Sequence, residues 1–206
     1  SHLTSASELF KLVLPVNYTT TFVPSTPHPS TAAAELALQN FRLLAVPLTA
    51  EAFAPYGDVI ASDNHAPLII NDGMTERYHA LAQVQTSRPN DQVLINLFHA
   101  KPYQLPMPLF SMERHPLGSQ AFVPLDARPF IVVVAPVGEQ IALQDVRAFI
   151  TNGRQGVNYH QGVWHHSLIA PDSPARFLVV DRGGTGNNCD VLPIGGANGV
   201  LLNIAP

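Results

Sequence analysis

The sequence predicts a mainly all-β protein with a few short helices. Nineteen prolines and thirteen glycines divide its 206 residues into short segments, and no helical period of apolar residues persists over many turns. Short apolar segments alternate instead with turn-forming residues, a pattern typical of β-sandwiches and β-barrels. Because hydrophobic residues make up 46% of the chain and charged residues 13%, most of the chain is expected to fold around a core.

The strand pattern begins at residue 41. The segment 41–48 predicts the first strand, and Thr49 is expected to cap a short helix that ends at Gly57. A short strand is expected at 58–61, a turn at 71–73 and a helical turn within 143–151. The longest apolar run, FIVVVAPV at 130–137, predicts a buried strand because it is far too short to span a bilayer. Further strands are predicted at 76–84, 92–100, 120–125, 129–137, 163–170 and 175–182.

The composition divides the chain into three parts. Residues 1–40 are rich in Thr, Ser, Pro and Ala and carry very few charges, which predicts an extended N-terminal arm. Its opening Ser-His is interpreted as a remnant of expression cloning. Residues 41–190 are predicted to form one folded domain, and residues 191–206 a C-terminal tail.

Charge and cysteine content restrict the partners of this protein. The net charge is −4 with a pI near 6.1, and no run of Lys or Arg is present. Nucleic acids and membranes are therefore not expected as partners. The single cysteine, Cys189, excludes an internal disulfide and is interpreted as an inert thiol. We expect a cytoplasmic protein.

Histidines near other polar residues are the most informative feature. Alternate side chains of a strand share a face, so Glu113 and His115 are expected on one face and Arg114 on the other. By the same reasoning Arg77 and His79 share a face. His165 and its neighbour at 166 point to opposite faces, and at most one of them belongs to a given site. Three histidines are interpreted as structural: His28, His65 and His99.

Two segments resemble the two sequence motifs of the cupin superfamily. In ERHPLGSQ at 113–120, Glu113 stands where the first motif usually has a His, His115 matches its second His, and Gln120 replaces its Glu. In HQGVWH at 160–165, His165 stands at the ligand position of the second motif. Nitrogen and oxygen ligands of this kind suit Mn, Fe, Co, Ni or Zn. Because Gln120 brings no charge, a purely organic site without a metal is the alternative.

A closer resemblance is to the ureidoglycolate lyase family. It is carried by AVPLTAEAFAPYGDVI, ERYHALAQV, ERHPLGSQAFVPL, FIVVVAP, RAFITNGRQGVNYHQGVWHH and DRGGTGNNCD, and it covers roughly residues 41–190. The resemblance implies a cupin-like β-barrel or jelly roll that forms a homodimer. It also implies cleavage of (S)-ureidoglycolate to glyoxylate and urea, a late step of allantoin and purine catabolism. A divalent metal (Ni, Mn or Zn) is implied, and no organic cofactor.

The chemistry of this substrate assigns roles to the polar residues. Ureidoglycolate carries a hydroxyl, a carboxylate and a urea group on one carbon. Cleavage of the C–N bond requires a base for the hydroxyl proton, an acid for the departing nitrogen and a cation for the carboxylate. Histidine suits proton transfer near neutral pH, and the two-pronged guanidinium of Arg77 suits a carboxylate. Tyr159 could donate a hydrogen bond to the substrate, with packing in the core as its alternative role.

The candidate residues therefore form three groups. Candidate catalytic residues are His115, His160 and His165. Candidate substrate-binding residues are Arg77, His79, Gln120 and Tyr159. Candidate metal ligands are Glu113, His115, Gln120 and His165. Two other functions remain open on the sequence alone: a non-catalytic cupin that binds a small carboxylic acid, and a metal-dependent cupin isomerase or dioxygenase.

Overall fold

The computed structural model describes residues 41–206, and the arm expected at 1–40 lies outside the described residues. The helical elements are α1 (Ala50–Phe53) and two 3-10 turns, Leu143–Asp145 and Gly196–Asn198. The strands are β1 (Arg42–Pro47), β2 (Gly57–Ile60), β3 (Leu68–Ile70), β4 (Thr75–Arg77), β5 (Gln92–Ala100), β6 (Pro102–Tyr103), β7 (Met107–Leu109), β8 (Ser111–Arg114), β9 (Gln120–Pro124), β10 (Ile131–Ala135), β11 (Arg147–Ile150), β12 (Gly156–Tyr159), β13 (Trp164–His165), β14 (Ala170–Pro171), β15 (Ala175–Gly183), β16 (Asp190–Pro193) and β17 (Val200–Ile204).

Two sheets form a cupin-like β-barrel, as expected. The larger sheet has eight strands in the order β16-β8-β13-β10-β11-β1-β17-β7. The smaller sheet has five strands in the order β2-β12-β9-β15-β5. Two short pairs, β14 with β6 and β3 with β4, complete the described strands. Most neighbours are antiparallel, but β1 runs parallel to both β11 and β17.

Strand β10 explains the uninterrupted apolar run in the sequence. All five of its residues are buried, and they alternate between two separate hydrophobic clusters. Val132 and Val134 pack with Phe122 and Phe177 in the first cluster, whereas Val133 packs in the second. A strand that is covered on both faces needs apolar side chains at every position, so it cannot show the usual alternation.

The strand predicted at 76–84 is shorter than expected. Strand β4 ends at Arg77, and Ala80 adopts a positive φ of 54° that is incompatible with an extended chain. The segment predicted as one strand at 163–170 forms two short strands, β13 and β14. The three or four residues at the end of a strand show no hydrophobic period. The sequence therefore does not predict where these strands end.

The short helix forms where the sequence places it, but it ends earlier. The Thr49 side chain accepts a hydrogen bond from the Ala52 backbone N–H at 3.2 Å, which caps α1. The helix ends at Phe53, and Gly57 starts β2 instead. A Cβ atom at Gly57 would lie 1.9 Å from the backbone oxygen of Asn158, so glycine allows β2 to approach β12.

The segment 191–206, set apart above as a tail, contributes two strands to the larger sheet. Strand β16 pairs with β8, and β17 lies between β1 and β7. Val200 and Leu202 are fully buried in the second cluster. In residues 41–206, no helix is long and apolar enough to cross a membrane.

Candidate active site

A cavity of about 780 Å³ opens inside the barrel between the two sheets. Glu113 at the end of β8 and His165 of β13 contribute from the larger sheet. Gln120 and Phe122 of β9 contribute from the smaller sheet, together with residues 97–103 around the end of β5. His115, which follows β8, lies on the same wall as Glu113, as strand parity predicted. Polar side chains from distant parts of the sequence therefore meet in one open cavity.

The pairing of β8 with β13 brings Glu113 and His165 together. The two residues are direct partners in the antiparallel register. On the opposite face, the Arg114 guanidinium lies 4.7 Å from the Trp164 ring centroid and donates to Asp190 Oδ2 at 2.9 Å. These two contacts of Arg114 stabilise the outer face of the β8–β13 pair. Glu113 and His165 are thereby kept on its inner face.

His165 is a neutral imidazole with one free nitrogen. Its ring is only 2% exposed, and Nδ1 donates to the Val163 backbone oxygen at 3.0 Å. Burial, followed by the nearby His115, lowers the pKa of His165 to about 3. Among residues 41–206, its Nε2 has no hydrogen-bond partner, and it lies 3.8 Å from Glu113 Oε1, too far for a hydrogen bond. A buried lone pair is thus directed toward a carboxylate without contacting it.

His115 has the same arrangement of its two nitrogens. Nδ1 lies 2.6 Å from the backbone oxygen of Asn188, which can only accept, so Nδ1 carries a proton. Nε2 lies 3.2 Å from the Gln120 amide oxygen, and the ring centroid lies 5.0 Å from that of His165. The backbone N–H of Gly162, which has a positive φ of 77°, donates to the His115 carbonyl at 2.9 Å and joins the two cupin-like segments.

Glu113, His115 and His165 form a donor set that fits a divalent metal. Each offers one ligand atom, and the three atoms lie within 4.8 Å of one another. Both imidazoles have Nδ1 held by a backbone carbonyl, the arrangement that leaves Nε2 available to a metal. The unpartnered Nε2 of His165 supports this fit, and one carboxylate with two imidazoles suits Mn, Fe, Co, Ni or Zn. Gln120 contacts His115 and is placed to contribute a fourth, uncharged donor.

His160 lies outside this cavity. Its Nε2 is 3.1 Å from Asp58 Oδ1, in a separate cleft that Gln83 and Gln85 also line. The preceding residue, Tyr159, faces the barrel core, and consecutive residues of an extended chain point to opposite sides. The structure therefore separates His160 from His115 and His165, although all three are candidate catalytic residues.

Three predicted substrate-binding residues also fall outside the cavity lining. Tyr159 is buried and stacks on His165, with ring centroids 4.3 Å apart and an interplanar angle of 14°. Burial, followed by the charge of Glu113, raises the pKa of Tyr159 and keeps its hydroxyl protonated. Arg77 and His79 are exposed and hydrogen-bonded to each other at 2.9 Å, at the end of the β3–β4 hairpin. Gln120 is the one member of that group on the cavity wall.

The cavity contains polar residues that the sequence analysis did not select. His99 and Lys101 flank the end of β5, and Ser167 follows the pair of histidines at 165 and 166. Cys189 lies next to Glu113, with its Sγ atom 3.9 Å from Glu113 Oε2. Burial, followed by the charge of Glu113, raises the pKa of the Cys189 thiol, which opposes a role as a nucleophile.

Comparisons with known proteins agree with the barrel and its cavity. The family model described as ureidoglycolate lyase matches residues 40–198. A ureidoglycolate lyase of Pseudomonas syringae pv. syringae is 54% identical over 149 residues, which cover 72% of this chain and 88% of the relative. Another of Pseudomonas paraeruginosa is 56% identical over 144 residues, 70% of this chain and 85% of the relative. The chain therefore belongs to the ureidoglycolate lyase family.

Proposed function

We propose that this protein is a ureidoglycolate lyase that cleaves (S)-ureidoglycolate to glyoxylate and urea, a late step of allantoin catabolism. The observation that carries the proposal is the cavity in which one carboxylate and two imidazoles converge, in a chain of this family. A protein that only bound a small acid would need hydrogen-bond donors, but it would not need free imidazole nitrogens beside a carboxylate.

The reaction is an elimination that consumes neither water nor a redox partner. The hydroxyl proton leaves, and the O–H electron pair forms the carbonyl of glyoxylate. The C–N bond breaks, its electron pair stays on nitrogen, and the nitrogen takes up one proton to become urea. One group that accepts the hydroxyl proton and then delivers it to nitrogen balances the reaction.

His115 is the group suited to carry this proton. Its Nδ1–H is held by the Asn188 carbonyl, so Nε2 is the atom that gains and loses the proton. The amide of Gln120 lies beside Nε2 and can partner both states: the amide oxygen accepts from a protonated Nε2, and the amide nitrogen donates to a free one. A glutamate at this position would stabilise only the protonated ring.

His165 has a different role, because an imidazole with a pKa of about 3 is a weak base at neutral pH. Its free lone pair and the Glu113 carboxylate are suited to hold a divalent metal. His115 Nε2 would carry the proton in that case and would not be a ligand, because one lone pair cannot bind a metal and a proton at once. When bound, such a metal would lower the pKa of the substrate hydroxyl and orient the reacting carbon. The stacking of Tyr159 on His165 keeps the ring in this orientation.

We also propose that the protein is a homodimer. Among the described strands, β5 is an edge strand of the smaller sheet, and it pairs only with β15. Its apolar side chains Val93, Ile95 and Leu97 are 53%, 73% and 63% exposed. A long apolar edge of this kind is normally covered, and a second copy of the chain would cover it. Light scattering at several protein concentrations tests the proposal, and a monomer throughout would contradict it.

Urea release tests the catalytic proposal directly. Purified protein is incubated with each enantiomer of ureidoglycolate, with and without added Ni²⁺, Mn²⁺ or Zn²⁺, and urea and glyoxylate are measured together. We expect equal amounts of both products from the (S) enantiomer. If folded, metal-supplemented protein leaves both enantiomers uncleaved, the proposed function is wrong.

A further inference from the structure

The carboxylate of the proposed substrate is suited to a cationic side chain, whether or not a divalent metal is also bound. Arg77 lies outside the cavity lining, and the one unpartnered nitrogen of the buried His165 already faces the Glu113 carboxylate at 3.8 Å. Glu113 carries a negative charge on the cavity wall and repels a carboxylate. Among the cavity-lining residues in the described part of the chain, Lys101 is the only lysine or arginine.

The position of Lys101 is fixed by the strands on either side of it. Its predecessor, Ala100, pairs with Ala175 at the end of β5, and Pro102 pairs with Ala170 at the start of β6. A residue that precedes proline is confined to extended conformations, which further restricts the backbone of Lys101. The ammonium group therefore extends from an ordered backbone, although the side chain itself is exposed.

The charge of Lys101 is also free to interact with a ligand. Within residues 41–206, the structure contains no ion pair or side-chain hydrogen bond that involves Lys101, whereas Arg114, Arg176 and Arg182 are paired with carboxylates. A cation that already holds a protein carboxylate must break that contact before it binds a substrate. Lys101 avoids this cost.

We propose that Lys101 binds the substrate carboxylate and selects ureido acids over their uncharged analogues. The inference rests on the proposed function and adds the group that orients the substrate. With its carboxylate bound to Lys101, the substrate would present its hydroxyl and ureido nitrogen to the other polar residues of the same cavity, which include His115 and Gln120. Lys101 is thus a substrate-binding residue that takes no part in proton transfer.

The first test is steady-state kinetics of Lys101→Ala, with Lys101→Arg and Arg154→Ala as comparisons. Loss of a charge-assisted hydrogen bond should lower kcat/KM by about 10- to 100-fold, mainly through KM, because the contact exists before and during the reaction. Lys101→Arg keeps the charge and should retain most of the activity. Arg154 lies in an exposed turn outside the cavity lining, so that Arg154→Ala removes one cation and should leave KM unchanged.

The second test is the binding of glyoxylate, measured by calorimetry on wild type and on the same variants. We expect weaker binding to Lys101→Ala by the same factor as the rise in KM. If Lys101→Ala binds glyoxylate as tightly as wild type, the inference is wrong even where the enzyme is active. If wild type does not cleave ureidoglycolate but binds glyoxylate through Lys101, the proposed function fails and the inference stands. If wild type binds no glyoxylate, the inference is overturned.

Discussion

Replacement of His115 with alanine is the most informative perturbation of this site. The change removes the imidazole that joins the Asn188 carbonyl on one side to the Gln120 amide on the other. It also removes one of the three atoms that could hold a metal. The neighbouring residues Glu113 and His165 keep their strand pairing and their positions.

The expected losses in activity and in stability can be separated. A positioned proton carrier contributes about 10²- to 10⁴-fold to the rate, which corresponds to about 2.7 to 5.4 kcal/mol of transition-state stabilisation. The structural cost is the hydrogen bond to Asn188, whose unpaired carbonyl costs about 1 to 3 kcal/mol. Because a domain of this kind is stable by about 5 to 15 kcal/mol, His115→Ala should remain folded at 25 °C.

Two quantities are measured: kcat for urea release, and the free energy of unfolding with guanidinium chloride as the denaturant. His65→Ala is the matched control, because His65 is exposed, outside the cavity lining, and its Nδ1 contacts the nearby Asp63 carbonyl at 3.0 Å. We expect normal turnover from the control and a loss of at least about 100-fold from His115→Ala. Near-normal turnover of a folded His115→Ala would refute the placement of the site.

Metal content then separates the two roles of His115. If the imidazole is a ligand, elemental analysis of purified His115→Ala should show metal lost relative to wild type, and titrated metal should bind more weakly. If the imidazole only carries a proton, metal content should stay unchanged while turnover falls. If neither wild type nor His115→Ala binds divalent metals, the result would favour the purely organic site.

Three further predictions concern other parts of the molecule. His165 has a pKa of about 3 in the folded protein and 6.5 as a free side chain. The metal-free protein should therefore lose stability as the pH falls from 6.5 to 3, by up to about 1.4 kcal/mol per pH unit. In guanidinium titrations, His165→Asn should show a weaker dependence of stability on pH. His160→Ala should change kcat less than about 3-fold, because its ring contacts Asp58 outside the cavity; a loss comparable to that of His115→Ala would contradict the structure. Deletion of 199–206 removes β17 from between β1 and β7 and should abolish soluble expression, whereas deletion of 1–39 should preserve folding and activity.

Strand parity explains which parts of the site could be predicted. The period of two along a strand placed Glu113 and His115 on the same wall, and both line the cavity. It also assigned the residues at 165 and 166 to opposite faces, and of the two only His165 lines the cavity. The same rule separates Tyr159 from His160: Tyr159 faces the core, and His160 contacts Asp58 outside the cavity.

The remaining residues could not be predicted because their positions depend on long-range pairing. The guanidinium of Arg77 is chemically suited to a carboxylate, but β4 ends at that residue and the chain turns at Ala80. Lys101 has no motif around it, and its place in the cavity follows from the pairing of β5 with β15. No hydrophobic period in the sequence predicts which strand closes the barrel. From the sequence alone, a lysine at the end of β5 therefore cannot be distinguished from any other surface lysine.

The two departures from the cupin pattern compensate for each other in the structure. The usual motif has a histidine at the position of Glu113 and a carboxylate at the position of Gln120. Here the carboxylate lies on β8, opposite His165, and the uncharged amide lies beside His115. The site therefore keeps one negative charge, which favours binding of a divalent metal, while the amide can accept from or donate to Nε2. Under the proposed function, this exchange keeps a set of donors suited to a divalent metal and gives His115 Nε2 a partner with or without the transferred proton.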